Sequence, residues 1–373
     1  MSPIHVLCVF GTRPEAIKMA PLVNEIKCHP ELCGAVCVTG QHREMLDQVT
    51  RAFGIVADYD LNIMQPVQTL TSITAAVLAG LEPILRGNRP DIVLVHGDTT
   101  TSFVAALAAF YQQIPVGHVE AGLRTFNPYS PFPEEMNRNL TGKLATLHFA
   151  PTEVNRENLA RESITKHVFV TGNTVIDALM ALVRPDHQFE CEKLRDIDFE
   201  ARRTILLTAH RRENLGQPFC QIFAAVRKIV DEYPDVQFVY PIHRNPAVRA
   251  AAQKALAGHP RIHLLDPLNV VDMHNLLSRC YLVMTDSGGL QEEAPALGKP
   301  VLVLRTETER PEAVDMGTVK VSGVKMGDIL RDVALLLNDA EAYDTMSRAV
   351  NPYGDGFASR RICEHIIRFF KDR

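Results

Sequence analysis

The segment Ile4-His-Val-Leu-Cys-Val-Phe10 and the turn Gly11-Thr-Arg-Pro-Glu15 that follows it decide the fold class of this sequence. The first is an almost unbroken apolar run of strand length, typical of a strand that is buried on both faces. In the turn, the glycine permits a tight bend, the threonine can cap a helix and the proline suits a first helical turn. A helix is therefore predicted over Arg13–Lys27. A strand that leads through a tight turn into a helix is the building unit of a parallel α/β sheet.

Short apolar runs alternate with helical patterns along the rest of the chain and predict two series of strands. The first series comprises Ile4–Phe10, Ala35–Thr39, Ile92–His96, Val116–Val119, Leu147–Ala150 and His167–Thr171. The second series comprises Thr204–Thr208, Val236–Tyr240, Ile262–Leu265, Tyr281–Thr285 and Pro300–Leu304. The predicted fold is therefore α/β, with two Rossmann-like, doubly wound domains.

The polar, aperiodic segment Arg184–Arg202 separates the two series and is predicted to be a linker. It divides an N-terminal domain, residues 1–183, from a C-terminal domain, residues 184–353. The last segment, about 354–373, has an amphipathic helical pattern that can dock on either domain, and we place it with the first. Two such domains are expected to face each other across an interdomain cleft. Ligands of these sheets bind at the carboxyl ends of the strands, so the residues that follow each strand are the candidates for a site.

Composition limits the classes of protein that the sequence can represent. The 373 residues are 46% hydrophobic and 22% charged, which is typical of a globular protein and argues against extensive disorder. The net charge of −5 argues against a protein that binds nucleic acid over its whole surface. No apolar run approaches the roughly 18 residues of a membrane span, and the eight cysteines lack metal-site spacing. We expect a cytoplasmic protein with no membrane, nucleic-acid or metal partner.

Charged residues follow several strands of the first series. Arg13 and Lys18 would lie near the start of the first helix, which suits a phosphate, although a capped turn with solvent-facing charges explains them equally well. Asp98, Glu120 and Glu134 follow later strands and turns, and we expect these three carboxylates to converge on one sheet edge. Asp98 could also be a helix N-cap, whereas Glu120 is poorly placed for solvent. The first domain therefore offers acid and base chemistry.

The second series is rich in cations and contains a glycine-rich turn. His210 and Arg211 follow its first strand, and they suit a diphosphate better than a solvated surface. The turn Ser287-Gly288-Gly289 leads a strand into a helix, and its glycines let backbone N–H groups approach a phosphate. Glu293 is placed for a pair of ribose hydroxyls, and Arg310 begins another helix. Phosphate binding in this half and proton transfer in the other half together predict a nucleotide-sugar ligand.

These motifs resemble those of the bacterial non-hydrolysing UDP-N-acetylglucosamine 2-epimerases. The resemblance extends from residue 4 to about 370 and includes FGTRPEAIKMAPL, QHREMLDQV, LVHGDTTT, VGHVEAGLRT, SPFPEEMNR, HRREN, TDSGGLQEEAPALGKP, ERPEAV and NPYGDG. It implies a GT-B-like architecture, usually as a homodimer. It also implies interconversion of UDP-N-acetylglucosamine and UDP-N-acetylmannosamine for cell-surface polysaccharides, through elimination of UDP to 2-acetamidoglucal and its re-addition.

The resemblance also implies roles for individual residues. The matching positions for acid, base and phosphate-proximal catalysis are Asp98, Glu120, Glu134 and His210. The matching positions for UDP contacts are Arg13, Lys18, Met273, Ser287, Gly288, Gly289, Glu293 and Arg310. Met273 stands where some members have phenylalanine. Which carboxylate is the base and which is the acid stays open at this point.

Many bacterial members bind a second UDP-N-acetylglucosamine as an activator, and the sequence keeps most of the corresponding residues. They are Gln41, Glu44, Gln68, Glu134, Arg211 and His243. Val67 replaces an arginine of the family, so activation is a hypothesis for this chain. Neither the dinucleotide fingerprint G-x-G-x-x-G nor a P-loop occurs, and no cofactor is expected. Two other functions stay open: a GT-B glycosyltransferase with a UDP-sugar donor, and a non-catalytic nucleotide-sugar sensor.

Overall fold

The computed structural model describes residues 2–40, 43–65 and 68–372, without the side chains of residues 43–45. The chain forms two compact units. The first contains the residues up to Ala181 together with those from Tyr353 onward, and the second is Leu182–Pro352. Each unit contains one parallel β-sheet with helices in its crossover connections. The predicted α/β class with two Rossmann-like sheets is therefore confirmed.

The first unit contains a seven-stranded sheet with the strand order β3-β2-β1-β4-β5-β6-β7. Its strands are β1 Ile4–Phe10, β2 Leu32–Val38, β3 Tyr59–Asp60, β4 Ile92–His96, β5 Val116–Val119, β6 Leu147–Ala150 and β7 Val168–Val170. Its helices are α1 Arg13–Cys28, α2 Arg43–Ala52, α3 Leu70–Asn88, α4 Thr100–Tyr111, α5 Glu134–Leu144, α6 Glu153–Arg161, α7 Thr174–Leu182 and, at the end of the chain, α16 Ala358–Lys371. The strand order reverses where β1 lies beside β4.

The second unit contains a six-stranded sheet with the order β10-β9-β8-β11-β12-β13. Its strands are β8 Arg203–Thr208, β9 Val236–Pro241, β10 Ile262–Leu265, β11 Leu282–Thr285, β12 Val301–Val303 and β13 Val319–Val321. Its helices are α8 Glu192–Arg195, α9 Gln217–Glu232, α10 Pro246–Leu256, α11 Val270–Arg279, α12 Gly288–Ala296, α13 Pro311–Asp315, α14 Met326–Asn338 and α15 Ala340–Ser347. Here the order reverses where β8 lies beside β11, and ligands of doubly wound sheets bind at such reversals.

The last helix of the chain, α16, belongs to the first unit. Ile362 and Ile366 are fully buried in the same core cluster as Met19 and Leu22 of α1. The Asp177 carboxylate of α7 accepts hydrogen bonds from the backbone N–H groups of residues 358 and 359, the first two of α16, at 3.2 and 2.7 Å. An apolar stripe and a capped start therefore hold this helix in place.

The aperiodic segment 184–202 lies within the second unit, where α11 holds it. The buried carboxylate of Asp272 accepts the backbone N–H groups of Glu190 and Cys191 at 3.1 and 2.9 Å and lies 2.8 Å from His187 Nε2. The Asp272 carboxylate thus accepts hydrogen bonds from backbone N–H groups that are not paired within a strand or a helix. The segment lacks hydrophobic periodicity because its backbone is irregular, and hydrogen bonds to α11 hold that backbone in place.

All eleven predicted strands are present, and five have the predicted bounds, among them Ile4–Phe10, Ile92–His96 and Ile262–Leu265. The other six differ by one to three residues at one or both ends. The pattern missed two strands at sheet edges, Tyr59–Asp60 and Val319–Val321. They contain two and three residues, which is too short for a hydrophobic run or an alternation to be seen. Neither changes the position of the predicted site residues, because both lie at the sheet margins.

Candidate active site

The turns after β1 and β4 lie side by side, because these two strands are neighbours at the reversal of the first sheet. A Cβ atom at position Gly11 would lie 2.0 Å from Thr39 Oγ1, so the turn needs glycine. Thr12 caps α1 and forms a capping box with Glu15. Arg13 is therefore the first residue of α1, where the helix field favours an anion.

Glu15 joins these two turns, and sequence reasoning missed it as a site residue. Its Oε2 accepts the backbone N–H groups of Gly11 and Thr12 at 3.0 and 2.7 Å. Its Oε1 accepts the hydroxyl groups of Thr99 and Ser102 at 2.6 and 2.8 Å. The sequence did contain a signal, since an acidic residue three positions after a threonine cap is the capping-box pattern.

Glu120 directly follows β5 and has a left-handed backbone conformation, with φ of 61°. Its Oε1 pairs with Lys18 Nζ and accepts a hydrogen bond of 3.0 Å from Asn173 Nδ2. Its Oε2 lies 3.5 Å from Nε2 of His96, whose pKa burial lowers to about 4, so that ring is neutral at pH 7. The structure thus places Lys18, which was predicted as a UDP contact, against Glu120, where its charge stabilises the carboxylate.

Asp98 follows β4, and its Oδ2 accepts a hydrogen bond of 2.5 Å from Arg138 Nη2 of α5. The residue that caps α4 is Thr99, whose hydroxyl accepts the N–H of Ser102 at 3.1 Å. The alternative role of Asp98 as a helix N-cap is therefore wrong. Glu134 is the half-buried first residue of α5, the same helix that supplies Arg138.

The three predicted carboxylates act on one another, so the structure brings them together in the first unit. Burial raises the pKa of Asp98, and the negative charges of Glu120 and Glu134 raise it further. The cations Arg138 and Lys18 act in the opposite direction without cancelling the rise. A carboxyl group that holds its proton more strongly is suited to donate one, and a charge-paired carboxylate is suited to accept one.

In the second unit, the ends of β8 and β11 hold His210 against an aspartate that sequence reasoning missed, Asp286. Asp286 Oδ1 lies 3.1 Å from His210 Nδ1, and Oδ2 accepts the backbone N–H groups of His210 and Arg211, each at 2.8 Å. Burial alone would raise the pKa of Asp286, but the hydrogen bonds from His210 and Arg211 hold it below its usual value. The sequence feature that could have identified Asp286 is its position as an acidic residue directly after a buried strand, β11.

The turn Ser287-Gly288-Gly289 starts α12, and Ser287 is an N-cap whose side chain makes no capping bond. The Arg310 guanidinium lies beside this turn, because a Cβ at Gly288 would be 3.9 Å from Arg310 Nη2. The buried carboxylate of Glu292 pairs with Arg310 and fixes its position. A helix start with open backbone donors and a fixed guanidinium can bind a phosphate.

Glu293 and Met273 lie on the two helices that flank this turn. A Cβ at Gly289 would be 3.5 Å from Glu293 Oε1, so this carboxylate is next to the helix start. Its Oε2 lies 3.4 Å from His274 Nε2 of α11. Met273 precedes that histidine and is half-buried. The second unit therefore brings His210, the turn Ser287-Gly288-Gly289, Glu293 and Arg310 to the ends of β8 and β11.

The residues predicted for an activator are divided between the units. Gln68 lies in the first, with Nε2 donating to the carbonyl of residue 63 at 3.2 Å. Arg211 and His243 lie in the second, where the His243 ring stacks on His210 with centroids 5.2 Å apart. Glu134 is the first residue of α5 in the first unit. The remaining positions lie outside the described residues, namely Gln41, Val67 and the side chain of Glu44.

Within residues 2–40, 43–65 and 68–372, no three histidine, cysteine, aspartate or glutamate side chains form a group that could hold a metal ion. All eight cysteines are free thiols. None of the helices in the described ranges combines the length and the apolar character that a membrane crossing needs.

Comparison with known proteins identifies the class and then the family. The sequence model described as UDP-N-acetylglucosamine 2-epimerase matches residues 24–367. The UDP-N-acetylglucosamine 2-epimerase of Bacillus subtilis is 55% identical over 98% of this chain and 96% of its own, and that of Escherichia coli K12 is 55% identical over 97% and 98%. The crystal structure of UDP-GlcNAc 2-epimerase from Neisseria meningitidis bound to UDP-GlcNAc is 49% identical, with a TM-score of 0.84 over 98% of this chain and 100% of that one.

Two Rossmann-like units in one chain, with Asp98 after a strand at one strand-order reversal and His210 after a strand at the other, define a GT-B-like enzyme. The chain belongs to the UDP-N-acetylglucosamine 2-epimerase family, which confirms the resemblance found in its sequence and makes it an isomerase.

Proposed function

We propose that this protein is a non-hydrolysing epimerase that interconverts UDP-N-acetylglucosamine and UDP-N-acetylmannosamine for cell-surface polysaccharide synthesis. The observation that carries the proposal is the convergence of Asp98, Glu120 and Glu134 in one unit, with Lys18 and Arg138 paired to two of them. Relatives at 55% identity with that name, and the Neisseria meningitidis structure bound to UDP-GlcNAc, support the choice of substrate.

The reaction needs a route by which a carboxylate can remove the hydrogen at carbon 2. That hydrogen is not next to a carbonyl group, so a carboxylate alone is too weak a base. Departure of UDP from carbon 1 builds positive character there and acidifies the neighbouring C–H. We propose that the C–H electron pair forms the double bond of 2-acetamidoglucal while the pair of the C1–O bond leaves with UDP.

The second half of the reaction returns a proton to the other face of carbon 2, and a UDP oxygen re-forms its bond to carbon 1. Removal and return on opposite faces require carboxyl groups in more than one place. We propose that Glu120, paired with Lys18, accepts the proton and that Asp98, with its raised pKa, donates one in the direction toward UDP-N-acetylmannosamine. Glu134 adds negative charge that keeps the Asp98 proton in place.

We propose that the second unit binds UDP and stabilises it as it leaves. His210, Arg310 and the backbone N–H groups at the start of α12 are the groups for the diphosphate, and the helix field adds about 0.3–1 kcal/mol there. Arg13 at the start of α1 is a further phosphate contact. Glu293 is the partner of the ribose hydroxyls, and Met273 lies in the segment that contacts uracil.

A glycosyltransferase or a nucleotide-sugar sensor would use the same UDP groups, so the test is made without any acceptor. Purified protein incubated with UDP-N-acetylglucosamine alone is expected to give a mixture of UDP-N-acetylglucosamine and UDP-N-acetylmannosamine. The anomeric signals in proton NMR spectra measure the two epimers. Slow hydrolysis to UDP and free sugar would support the transferase, and unchanged substrate would support the sensor. A carboxylate cluster of three favours the epimerase because transfer to an acceptor needs fewer proton-transfer groups.

The family resemblance also implies an activator site and a homodimer. We propose a cytoplasmic homodimer that a second UDP-N-acetylglucosamine activates, with Arg211 and His243 as its contacts in the second unit. The stack of His243 on His210 would give such an activator a direct route to the catalytic histidine.

A further inference from the structure

Asp286 is the most deeply buried carboxylate near the UDP-binding groups, and nothing in the sequence patterns assigned it a role. Its side chain has no exposed surface and directly follows β11. Its Oδ2 accepts three N–H groups, from the backbone of His210 and Arg211 at 2.8 Å and from Asn214 Nδ2 at 3.0 Å. These donors keep the buried group ionised, because each stabilises the negative charge.

The other oxygen of Asp286 faces one ring atom. Oδ1 is buried and lies at the ion-pair distance of 3.1 Å from His210 Nδ1, and in the described part of the chain no group makes a hydrogen bond of standard geometry to it. The neighbouring Tyr240 hydroxyl is not available, since it donates to the carbonyl of Ala209 at 2.6 Å. An ionised carboxylate can only accept, so its negative charge at this distance favours a proton on Nδ1.

We propose that Asp286 is a positioning residue that holds a proton on Nδ1 of His210 and thereby presents Nε2 to the diphosphate. This inference rests on the proposed function, in which His210 acts on departing UDP. The His210 side chain is 35% exposed, so a ligand can reach the ring, and Nε2 is the ring nitrogen that does not face Asp286.

Fixing the ring in this way matters when UDP leaves. The electron pair of the C1–O bond stays on the β-phosphate oxygen, and a ring protonated on both nitrogens donates from Nε2 to that oxygen. The charge of Asp286 offsets the charge of the doubly protonated ring. When UDP adds back to carbon 1, the hydrogen bond at Nε2 is released and the proton on Nδ1 stays where it is.

Asp286→Asn tests the proposal with nearly the same shape. The asparagine oxygen can replace Oδ2 and keep the three N–H donors, which turns its NH2 group toward His210 Nδ1. An NH2 group donates, so Nδ1 has to lose its proton and the neutral ring has to carry it on Nε2. The variant also lacks the negative charge that offsets a doubly protonated ring, so Nε2 donates to the leaving oxygen from a neutral ring only, and we expect kcat to fall at least about 10²-fold while KM changes less than about threefold.

The tautomer is read directly by nitrogen NMR of protein labelled in histidine, with the His210 signals assigned by their loss in His210→Gln. Wild-type protein is expected to show a protonated Nδ1, and Asp286→Asn an unprotonated Nδ1 with a protonated Nε2. The matched control is Asn214→Ser, which removes one donor from Oδ2 without touching the ring, and it is expected to keep the Nδ1 proton and most of the turnover.

An unprotonated Nδ1 in the wild-type protein would overturn the proposal. This measurement needs no variant, so it tests the proposal even if Asp286→Asn folds poorly. Equal kcat in wild type and Asp286→Asn would overturn it as well. The proposed function fails in a different way, since wild-type protein would then make no UDP-N-acetylmannosamine whatever the state of the His210 ring.

Discussion

Glu120→Gln is expected to reduce epimerase turnover by about 10²- to 10⁴-fold, the range that a positioned proton-transfer group contributes. Glutamine keeps the shape of the side chain and an oxygen that can accept the 3.0 Å hydrogen bond from Asn173. It cannot accept a proton from carbon 2, and it leaves the Lys18 charge without its partner. Initial rates from UDP-N-acetylglucosamine at saturating concentration measure the loss.

Asp98→Asn belongs to the same prediction and is expected to cost a similar factor, because an amide cannot return the proton. Glu153→Gln is the matched control, since Glu153 is an exposed residue of α6 that pairs with exposed Arg156. The control should keep wild-type turnover, and all three variants should keep the wild-type circular dichroism spectrum. Turnover of Glu120→Gln within tenfold of the wild type would remove Glu120 from the chemistry.

His210→Ala is the second change with a large expected effect, a loss of about 10²- to 10³-fold in kcat, the size expected for one donor to a developing negative charge. The alanine removes the group that meets the departing phosphate oxygen and leaves the buried Asp286 carboxylate facing a gap. The three N–H donors to Oδ2 come from the backbone and Asn214, so the turn itself should persist.

For His210→Ala and the wild-type protein we compare kcat and KM from initial rates and the affinity for UDP from calorimetry. His5→Ala provides the control, because His5 is an exposed histidine at the N-terminal end of β1, whereas the site residues follow the carboxyl ends of the strands. We expect kcat to fall much more than UDP binding weakens. An equal loss in kcat and in UDP affinity would make His210 a binding residue that does not act on the leaving group.

Hydrophobic runs predicted the fold well because parallel strands buried on both faces are continuous in sequence. Ile92–His96 and Val116–Val119 have the predicted bounds, and the residues that follow them, Asp98 and Glu120, lie at the sheet edge as expected. Strands of two or three residues, such as Tyr59–Asp60, carry no pattern and were found only in the structure.

Partners across the site were harder to predict than the site residues themselves. Lys18 looks like a phosphate contact beside a helix start, yet the tertiary structure pairs it with Glu120, which is 102 positions later in the chain. Asp286 and Glu15 were missed because each accepts groups from a turn far away in the chain, Asp286 the N–H of His210 and Glu15 the hydroxyl of Thr99. Hydrogen bonds over such separations depend on strand order, and the local sequence does not encode that order.

Hydrogen exchange at carbon 2 tests the central claim most directly. UDP-N-acetylglucosamine is incubated with the protein in deuterated water, and both epimers are examined by NMR at early and late times. Elimination and re-addition predict that UDP-N-acetylmannosamine carries deuterium at carbon 2 from the first turnovers and that deuterium later enters both epimers. Retention of the original hydrogen at carbon 2 in the product would contradict the account.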